Sequence, residues 1–211
     1  TYGTTAAAEY RLEVGDFDIA SGYSGTIVSP EMTFEVPTKI KVFGEHSLRP
    51  VTCAVGIAIK LGLNSDEIIA GLALIEPVNG RMNVLKGVNQ SVLIDDTYNS
   101  SPAAADAALR TLYATPAPQR IAILGDMNEL GAVSEEEHQK LGDFCDSSLL
   151  AWVVTVGEQS EKILAPRARA RGCQVKSFRS AIDAGAFVHS VMENGAVVLA
   201  KGSQGNVYLE E

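Results

Sequence analysis

The sequence predicts an α/β fold in which a mostly parallel sheet with flanking helices is preceded by a shorter region of strands and helices. After residue 80, short apolar runs alternate with helix-like segments, which is the pattern of βαβ units. These runs are apolar throughout, as expected for strands whose two faces are both covered. Residues 10–43 are instead rich in β-branched and aromatic residues broken by Gly and Pro, which is typical of an antiparallel or mixed sheet.

The first region is predicted to span residues 1–79 and to contain strands followed by two helices. The strand-like segments are YRLEV, FDIASGYSGTIVS, TFEVP and KIKVF. The alanine-rich segment HSLRPVTCAVGIAIKLG predicts a buried helix over about residues 47–61, with Pro50 tolerated in its first turn. In the next segment, NSDEIIAGLALI, Asn64 and Glu67 have the spacing of a capping box at the start of a second helix.

The second region, residues 80–211, is predicted to form one domain that follows a hinge in PVNGRMN. Its predicted strands are SVLID, RIAILGD, WVVTVG, QVKSF and AVVLAKGS. Its predicted helices are PAAADAALRTLYA, SEEEHQKLGDFCDSSLL, QSEKILAPRARARG and SAIDAGAFVHSVM. Ser134 and Glu137 predict a capping box on the second of these helices, and Pro166 predicts a kink or break in the third.

The composition argues against several classes of protein. With 26 acidic and 17 basic residues, the chain has a formal net charge of −9, so no nucleic-acid partner is expected. No apolar run reaches the roughly 18 residues of a membrane span, and no signal-peptide pattern opens the sequence, so no membrane association is expected. The cysteines, Cys53, Cys145 and Cys173, lack metal-binding spacing and are predicted to be free buried thiols of a reducing cytoplasm.

Polar residues follow several of the predicted strands, most densely in VLIDDTYNSSPAA at residues 92–104. Ligands of open α/β sheets bind at the carboxyl ends of the strands, so we expect these segments to meet at one edge. This edge would carry the carboxylates of Asp96, Asp126 and Glu129, the amine of Lys201 and several hydroxyl groups. A carboxylate can accept both hydroxyls of a ribose, and a lysine beside Gly and Ser can hold a phosphate or a substrate carboxylate.

Each of these residues also has a purely structural interpretation, which the topology leaves open. Asp95 or Asp96 could be a turn or helix-start residue, Asp126 could cap its own turn, and Lys201 could be a solvated charge. From position at strand ends, the sequence therefore predicts only a site for a polar small ligand.

The histidines indicate no metal site. His46 precedes the first helix and is a candidate to face a nucleotide, whereas His138 and His189 are expected on solvent-exposed helix faces. The three share no metal-ligand spacing. Neither G-x-x-x-x-G-K-[ST] nor G-x-G-x-x-G occurs, so neither standard phosphate-binding loop is predicted in these residues.

Five segments, GEHS, PVNGRM, VLIDDTYNSSPAA, AILGDMNELG and VLAKGSQGN, resemble the Mur ligase family in that order. DDTYNSSP and LGDMNELG are most similar to the members that add D-alanyl-D-alanine to UDP-N-acetylmuramoyl tripeptide. The resemblance runs from about residue 39 to the end of the sequence. It implies that residues 1–79 are the last part of an ATP-binding central domain and that residues 80–211 are a Rossmann-like C-terminal domain.

The resemblance also implies a set of functional residues. The expected nucleotide-binding residues are His46, Arg81 and Asp96. The expected substrate-binding residues are Tyr98, Asn99, Ser100, Asp126, Glu129, Lys201 and Ser203. At three positions the chain departs from the family, which usually has asparagine where Ser47 and Pro50 stand and often has arginine where Gln204 stands.

The activity that the resemblance implies is amide ligation in peptidoglycan synthesis, through an acyl phosphate made with ATP and Mg²⁺. The expected partners are small molecules, namely ATP, a UDP-muramoyl peptide and D-alanyl-D-alanine, and the expected oligomeric state is a monomer. The family's P-loop, carbamylated lysine and UDP-binding domain match nothing in these residues, so the chain is expected to be an inactive piece of a longer ligase. The alternatives are a cyanophycin synthetase-like or folylpolyglutamate synthase-like ligase, and a non-catalytic nucleotide- or peptide-binding module.

Overall fold

The computed structural model describes residues 1–19, 21–203 and 209. The chain divides into two compact units, Thr1–Pro77 and Val78–Glu211.

The first unit contains a mixed four-stranded sheet in the order β1-β2-β3-β4. The strands are β1 (Tyr2–Gly3), β2 (Tyr10–Asp18), β3 (Gly22–Val28) and β4 (Thr33–Ile40). Only the pair β1–β2 is parallel among these, so the predicted antiparallel or mixed sheet is confirmed. The segment TFEVP and the first two residues of KIKVF belong to one strand, β4, which ends at Ile40; Pro37 is tolerated in it because an edge strand can lack one N–H.

Two helices follow this sheet, α1 (Leu48–Lys60) and α2 (Ser65–Ala73). A single 3₁₀ turn, Glu45–Ser47, leads into α1, and Pro50 lies in the first turn of that helix, as predicted. The predicted capping box of α2 is confirmed, because Asn64 Oδ1 accepts the Glu67 N–H at 3.1 Å and the Glu67 carboxylate accepts the Asn64 N–H at 2.9 Å. The buried core of this unit includes Leu12, Ile27, Ile40, Leu48, Val55 and Ile68.

The second unit contains a six-stranded sheet in the order β5-β6-β10-β7-β8-β9. The strands are β5 (Asn83–Lys86), β6 (Val92–Asp96), β7 (Arg120–Gly125), β8 (Trp152–Val156), β9 (Val175–Phe178) and β10 (Val197–Lys201). All pairs except β5–β6 are parallel, which confirms the predicted mostly parallel sheet. Because β10 lies between β6 and β7, the carboxyl ends of these three strands are adjacent.

Strand β5 was not predicted. It forms a hairpin with β6 through a turn in which Asn89 and Gln90 both have positive φ, 53° and 56°. Positive φ at both central residues is the type I′ geometry that suits the twist of a two-stranded hairpin.

Four helices connect the parallel strands, α3 (Pro102–Ala114), α4 (Ser134–Phe144), α5 (Ala165–Ala170) and α6 (Ala181–Val191). Right-handed crossovers place α6, whose connection runs back across the sheet from β9 to β10, on the face opposite to α3, α4 and α5. The core between this face and α6 includes Ile121, Ile123, Val154, Val156 and Val198 from the sheet and Ala184 and Val188 from the helix.

Two sequence-based expectations concern the helices that follow β7 and β8. The predicted capping box at Ser134 is wrong, because a 3₁₀ turn at Gly131–Val133 continues directly into α4 and gives Ser134 helical angles, φ −55° and ψ −46°. An N-cap residue needs an extended backbone to turn its side chain onto the first free N–H groups. No break occurs at Pro166, because residues 158–170 stay helical; the hydrogen bonding changes there from π-helical over Ser160–Leu164 to α-helical from Ala165.

The cysteines are free, as predicted, with Cys145 and Cys173 buried and Cys53 half-buried. Within the described residues, no helix combines the length and the apolar character that crossing a membrane would require.

Candidate functional site

The polar loops that follow β6, β7 and β10 are joined at one edge of the sheet by the hydroxyl of Ser203. Its Oγ accepts the backbone N–H groups of Ser100 and Asn128, each at 3.2 Å, and lies 3.2 Å from Asn99 Oδ1. Both Ser203 and Ser100 are buried. The predicted meeting of these strand ends is therefore observed, and Ser203 holds the three loops together from inside.

Lys201, the last residue of β10, is turned into the protein. Its Nζ lies 3.1 Å from Asp96 Oδ2 and also donates to the backbone carbonyls of Asp96, at 3.3 Å, and Asn99. These contacts use the three donors of an ammonium group, and the side chain is 1% exposed. Burial lowers the pKa of Lys201, the neighbouring Asp96 carboxylate opposes this shift, and the Arg81 guanidinium adds to it.

The adjacent carboxylates at the end of β6 hold the segment that precedes β5. Asp95 Oδ2 accepts the Gly80 N–H at 3.0 Å, and Asp96 Oδ1 accepts the Met82 N–H at 3.0 Å. The Tyr98 N–H returns a bond to the Gly80 carbonyl, also at 3.0 Å. Gly80 has φ +70°, and a Cβ there would lie 3.1 Å from the backbone nitrogen of Tyr98, so a side chain at this position would be strained and crowded.

Arg81 lies between Gly80 and Met82, whose backbone N–H groups are bonded to Asp95 and Asp96, and its side chain is exposed. Its guanidinium carbon lies 4.1 Å from the centroid of the Tyr98 ring, within cation–π distance. Tyr98 is 47% exposed. Arg81 and Tyr98 thus form an exposed cationic and aromatic surface next to the Asp96 carboxylate.

The loop after β7 is anchored through Asp126, whose side chain also points inward. Its Oδ1 accepts the Ser160 N–H at 2.7 Å and its Oδ2 accepts the Gln159 N–H at 3.2 Å, at the start of the helix that follows β8. A carboxylate is favourable there because the first N–H groups of a helix lack intrahelical partners. Gly157 has φ +111°, and a Cβ on it would lie 2.5 Å from the Asp126 carboxyl carbon.

The next residue of this loop is bound by a buried histidine. His138 is 0% exposed, so the expectation of a solvent-exposed side chain is wrong, whereas His189 is exposed as predicted. The Met127 N–H donates to His138 Nε2 at 3.0 Å, and His138 Nδ1 lies 2.7 Å from the Ser134 carbonyl. The charged neighbours of His138 in α4 obscured its burial, although Leu141 three residues later lies on the same buried face.

Glu129 is the exposed carboxylate of this loop. Its φ is +63°, a left-handed conformation that is rare for glutamate and that neighbouring contacts must maintain. Since Asp126, Met127 and Asn128 are each bonded to a different element, Glu129 is presented outward from a fixed base.

Two residues that the sequence singled out, His46 and Ser47, belong to the first unit. His46 is half-buried in the 3₁₀ turn of the first unit, and the nearby Ser47 donates its hydroxyl to the Phe43 carbonyl at 2.7 Å. Gln204 lies outside the described residues. Within residues 1–19, 21–203 and 209, no group of three or more His, Cys, Asp or Glu side chains could hold a metal ion.

Comparison with known proteins gives consistent matches. The family model described as "Mur ligase, glutamate ligase domain" matches residues 80–204. Among curated proteins, the UDP-N-acetylmuramoyl-tripeptide--D-alanyl-D-alanine ligase of Escherichia coli (strain K12) is 32% identical over 138 residues, covering 63% of this chain and 30% of the relative. The ligase of the same description from Haemophilus influenzae is 28% identical over 191 residues, covering 88% of this chain and 40% of the relative.

Solved structures agree with these sequence matches. MurF from Acinetobacter baumannii has a TM-score of 0.75 and 26% identity, over 96% of this chain and 44% of that protein. MurF from Thermotoga maritima in complex with ADP has a TM-score of 0.78 over 99% of this chain and 46% of that protein; at 22% identity it supports the fold. The chain thus spans less than half the length of each of these relatives.

Proposed function

Because the chain belongs to the Mur ligase family through its glutamate ligase domain, we propose that it is the C-terminal portion of an ATP-dependent amide ligase. The proposed reaction joins D-alanyl-D-alanine to UDP-N-acetylmuramoyl tripeptide in cytoplasmic peptidoglycan synthesis. The supporting observation is the edge at which the loops after β6, β7 and β10 meet, since it lies within the residues matched by the family. In this proposal residues 1–79 are the end of the ATP-binding central domain.

The nucleotide would be held beside the end of β6. Each Asp96 oxygen takes one donor inside the protein, from Met82 or Lys201, and a carboxylate has about four lone-pair sites, so acceptor capacity remains for two ribose hydroxyls. The exposed guanidinium of Arg81 is placed to approach the nucleotide phosphates. His46, in the first unit, is also proposed to bind nucleotide.

The proposed chemistry has two steps. An oxygen of the tripeptide carboxylate attacks the γ-phosphorus of ATP, so that ADP leaves and an acyl phosphate forms. The ammonium of D-alanyl-D-alanine gives one proton to water, and the free amine attacks the acyl carbon. Phosphate then leaves, and the nitrogen gives a second proton to water as the amide forms. The domain would contribute by positioning the reactants and by excluding water when the ligase closes.

The chain's own residues have distinct proposed roles in the second step. Glu129, exposed and held outward, is proposed to attract the ammonium of the incoming dipeptide. Tyr98, Asn99 and Ser100 would border the reacting groups. Asp126, Lys201 and Ser203 would act from inside, because their polar groups are bonded to the loops that form this edge. Magnesium is proposed for the whole ligase, and the described residues of this chain offer no cluster of His, Cys, Asp or Glu side chains to hold it.

The test is a coupled phosphate-release assay on the full-length protein that contains this chain, with UDP-N-acetylmuramoyl tripeptide, ATP and magnesium. D-alanyl-D-alanine is compared with aspartate, arginine and glutamate as the incoming amine. Phosphate release that requires D-alanyl-D-alanine is the expected result. Release with another amine would instead assign the protein to a sibling ligase, and release with none of them would favour a non-catalytic binding module.

A further inference from the structure

We propose that His138 is a positioning residue for ligation, which fixes the loop of residues 126–131 through Met127 and so sets how Glu129 meets the incoming amine. The structure shows the hydrogen bond by which His138 holds the loop. The effect of this bond on how Glu129 meets the incoming amine rests on the proposed function. His138 itself would touch no substrate, since it is fully buried beneath the loop.

The contacts of His138 fix its protonation pattern. The Met127 N–H is only a donor, so Nε2, 3.0 Å away, must be the acceptor. The Ser134 carbonyl is only an acceptor, so Nδ1, 2.7 Å away, must carry the proton. The hydrogen bonds therefore select the tautomer with the proton on Nδ1, and the ring links the first turn of α4 to the loop.

The burial of an imidazole in this place has a physical cause. A polar ring removed from water is unfavourable unless both nitrogens find partners, and an aliphatic side chain would fill the same space without that requirement. The buried Met127 N–H needs an acceptor, and the Nε2 atom of His138 supplies it.

The hydrogen bond between Met127 and His138 affects the whole loop, because Asp126 and Asn128 on either side are bonded to other elements. Asp126 is bonded to the helix after β8, and the Asn128 N–H donates to Ser203 after β10. Loss of the hydrogen bond between Met127 and His138 would free the backbone that sets the left-handed conformation of Glu129, two residues after Met127. The substrate-facing carboxylate would then sample other orientations.

Two substitutions separate the loop contact from the burial of the ring. In His138→Gln, the side-chain oxygen reaches the position of Nε2 and can accept the Met127 N–H. In His138→Asn, the shorter amide reaches only the position of Nδ1 and leaves that N–H unpaired. Both variants lose the ring, so any general loss of packing is shared between them.

The first measurement is amide hydrogen exchange of Met127 in this chain. Exchange is expected to be about tenfold faster in His138→Asn and within about threefold of the parent in His138→Gln. The second is steady-state kinetics of the full-length ligase, where His138→Asn should raise the KM for D-alanyl-D-alanine about tenfold, as for one lost hydrogen bond, with little change in the KM for ATP.

Several outcomes would overturn this assignment. Equal exchange at Met127 in both variants would mean that Nε2 does not hold the loop. Faster exchange in His138→Asn with an unchanged KM for the dipeptide would mean that the loop contact is only structural. A full-length parent that does not ligate D-alanyl-D-alanine would refute the proposed function, and with it the role toward the amine, while the exchange pair would still decide whether His138 holds Met127.

Discussion

Lys201 and Asp96 are register partners at the ends of the adjacent parallel strands β10 and β6, and their side chains form a buried ion pair, 3.1 Å between Nζ and Oδ2. The pair ties the residue predicted to bind ribose to the strand that precedes Ser203. It explains why a lysine can be tolerated at a position that is 1% exposed, because the carboxylate and two carbonyls replace the lost water.

Replacing Lys201 is therefore expected to destabilise the second unit strongly. Lys201→Met keeps the length of the side chain but leaves the Asp96 carboxylate buried without its cation, which costs about 3–5 kcal/mol of the free energy of unfolding. Trp152, the single tryptophan, lies in β8, so its fluorescence during urea unfolding reports on this unit.

Lys162→Met is the matched control, because its ion pair with Glu158 is solvent-exposed and should contribute little. The double variant Asp96→Asn with Lys201→Met should lose less stability than the sum of the single variants. Additive losses would contradict a direct interaction between the two side chains.

Gly157 is expected to accept a side chain only with a loss of stability. In Gly157→Ala, a positive φ of +111° and the Asp126 carboxylate 2.5 Å from the new Cβ both oppose the native conformation, with an expected loss of about 1–3 kcal/mol. Gly185→Ala is the control, since Gly185 is an exposed position within α6 with nothing within 4 Å, and alanine there should stabilise by about 0.5–1 kcal/mol. Similar unfolding midpoints for both variants would show that Asp126 readily moves away.

Cys145 is expected to make stability fall at high pH. Burial raises the pKa of Cys145 from 9.0 to about 12, and the nearby Cys173 and Asp143 add to the shift. Above pH 9 the unfolded chain therefore loses this proton while the native state keeps it, so the stabilisation is complete below the ordinary pKa and is lost as the pH rises. Relative to Cys145→Ala, the parent should lose about 1.4 kcal/mol between pH 8 and pH 10. A constant difference in the free energy of unfolding across this range would contradict the raised pKa.

The sequence predicted the parallel strands because each is a short apolar run that ends in polar residues, as in VLIDD and AILGD. The same pattern predicted which loops would meet. It could not predict that Lys201 and Asp126 point inward, because strand position fixes where a side chain starts and not which partner it reaches. His138 was misjudged for a related reason, since its burial depends on the loop after β7 that folds over α4. Strand β5 was missed because NVLK is short and is ordered by its hairpin with β6.

The 211-residue chain by itself is expected to catalyse neither ATP hydrolysis nor amide formation. The physical reason is that its sequence has no standard phosphate-binding loop, so the γ-phosphate would lack the backbone donors that position it. The measurement is phosphate release from ATP with tripeptide and dipeptide substrates present, and the full-length protein serves as the positive control. Turnover by the chain at a rate comparable to the full-length protein would show that these residues contain a complete site.

Asp96 is expected to act on the nucleotide in the full-length ligase. In Asp96→Asn the amide oxygen can still accept the Met82 N–H, but the charge that pairs with Lys201 and the second acceptor for ribose are lost. Loss of one charge-assisted hydrogen bond predicts an increase in the KM for ATP of about tenfold or more. The KM for D-alanyl-D-alanine should change little, because the loop that carries Glu129 is anchored elsewhere.

Asp95→Asn is the neighbouring control, since Asp95 holds Gly80 and Thr97 and is assigned no ribose contact. An unchanged KM for ATP in Asp96→Asn, or an equal increase in both variants, would exclude the ribose role and leave Asp96 as the structural partner of Lys201.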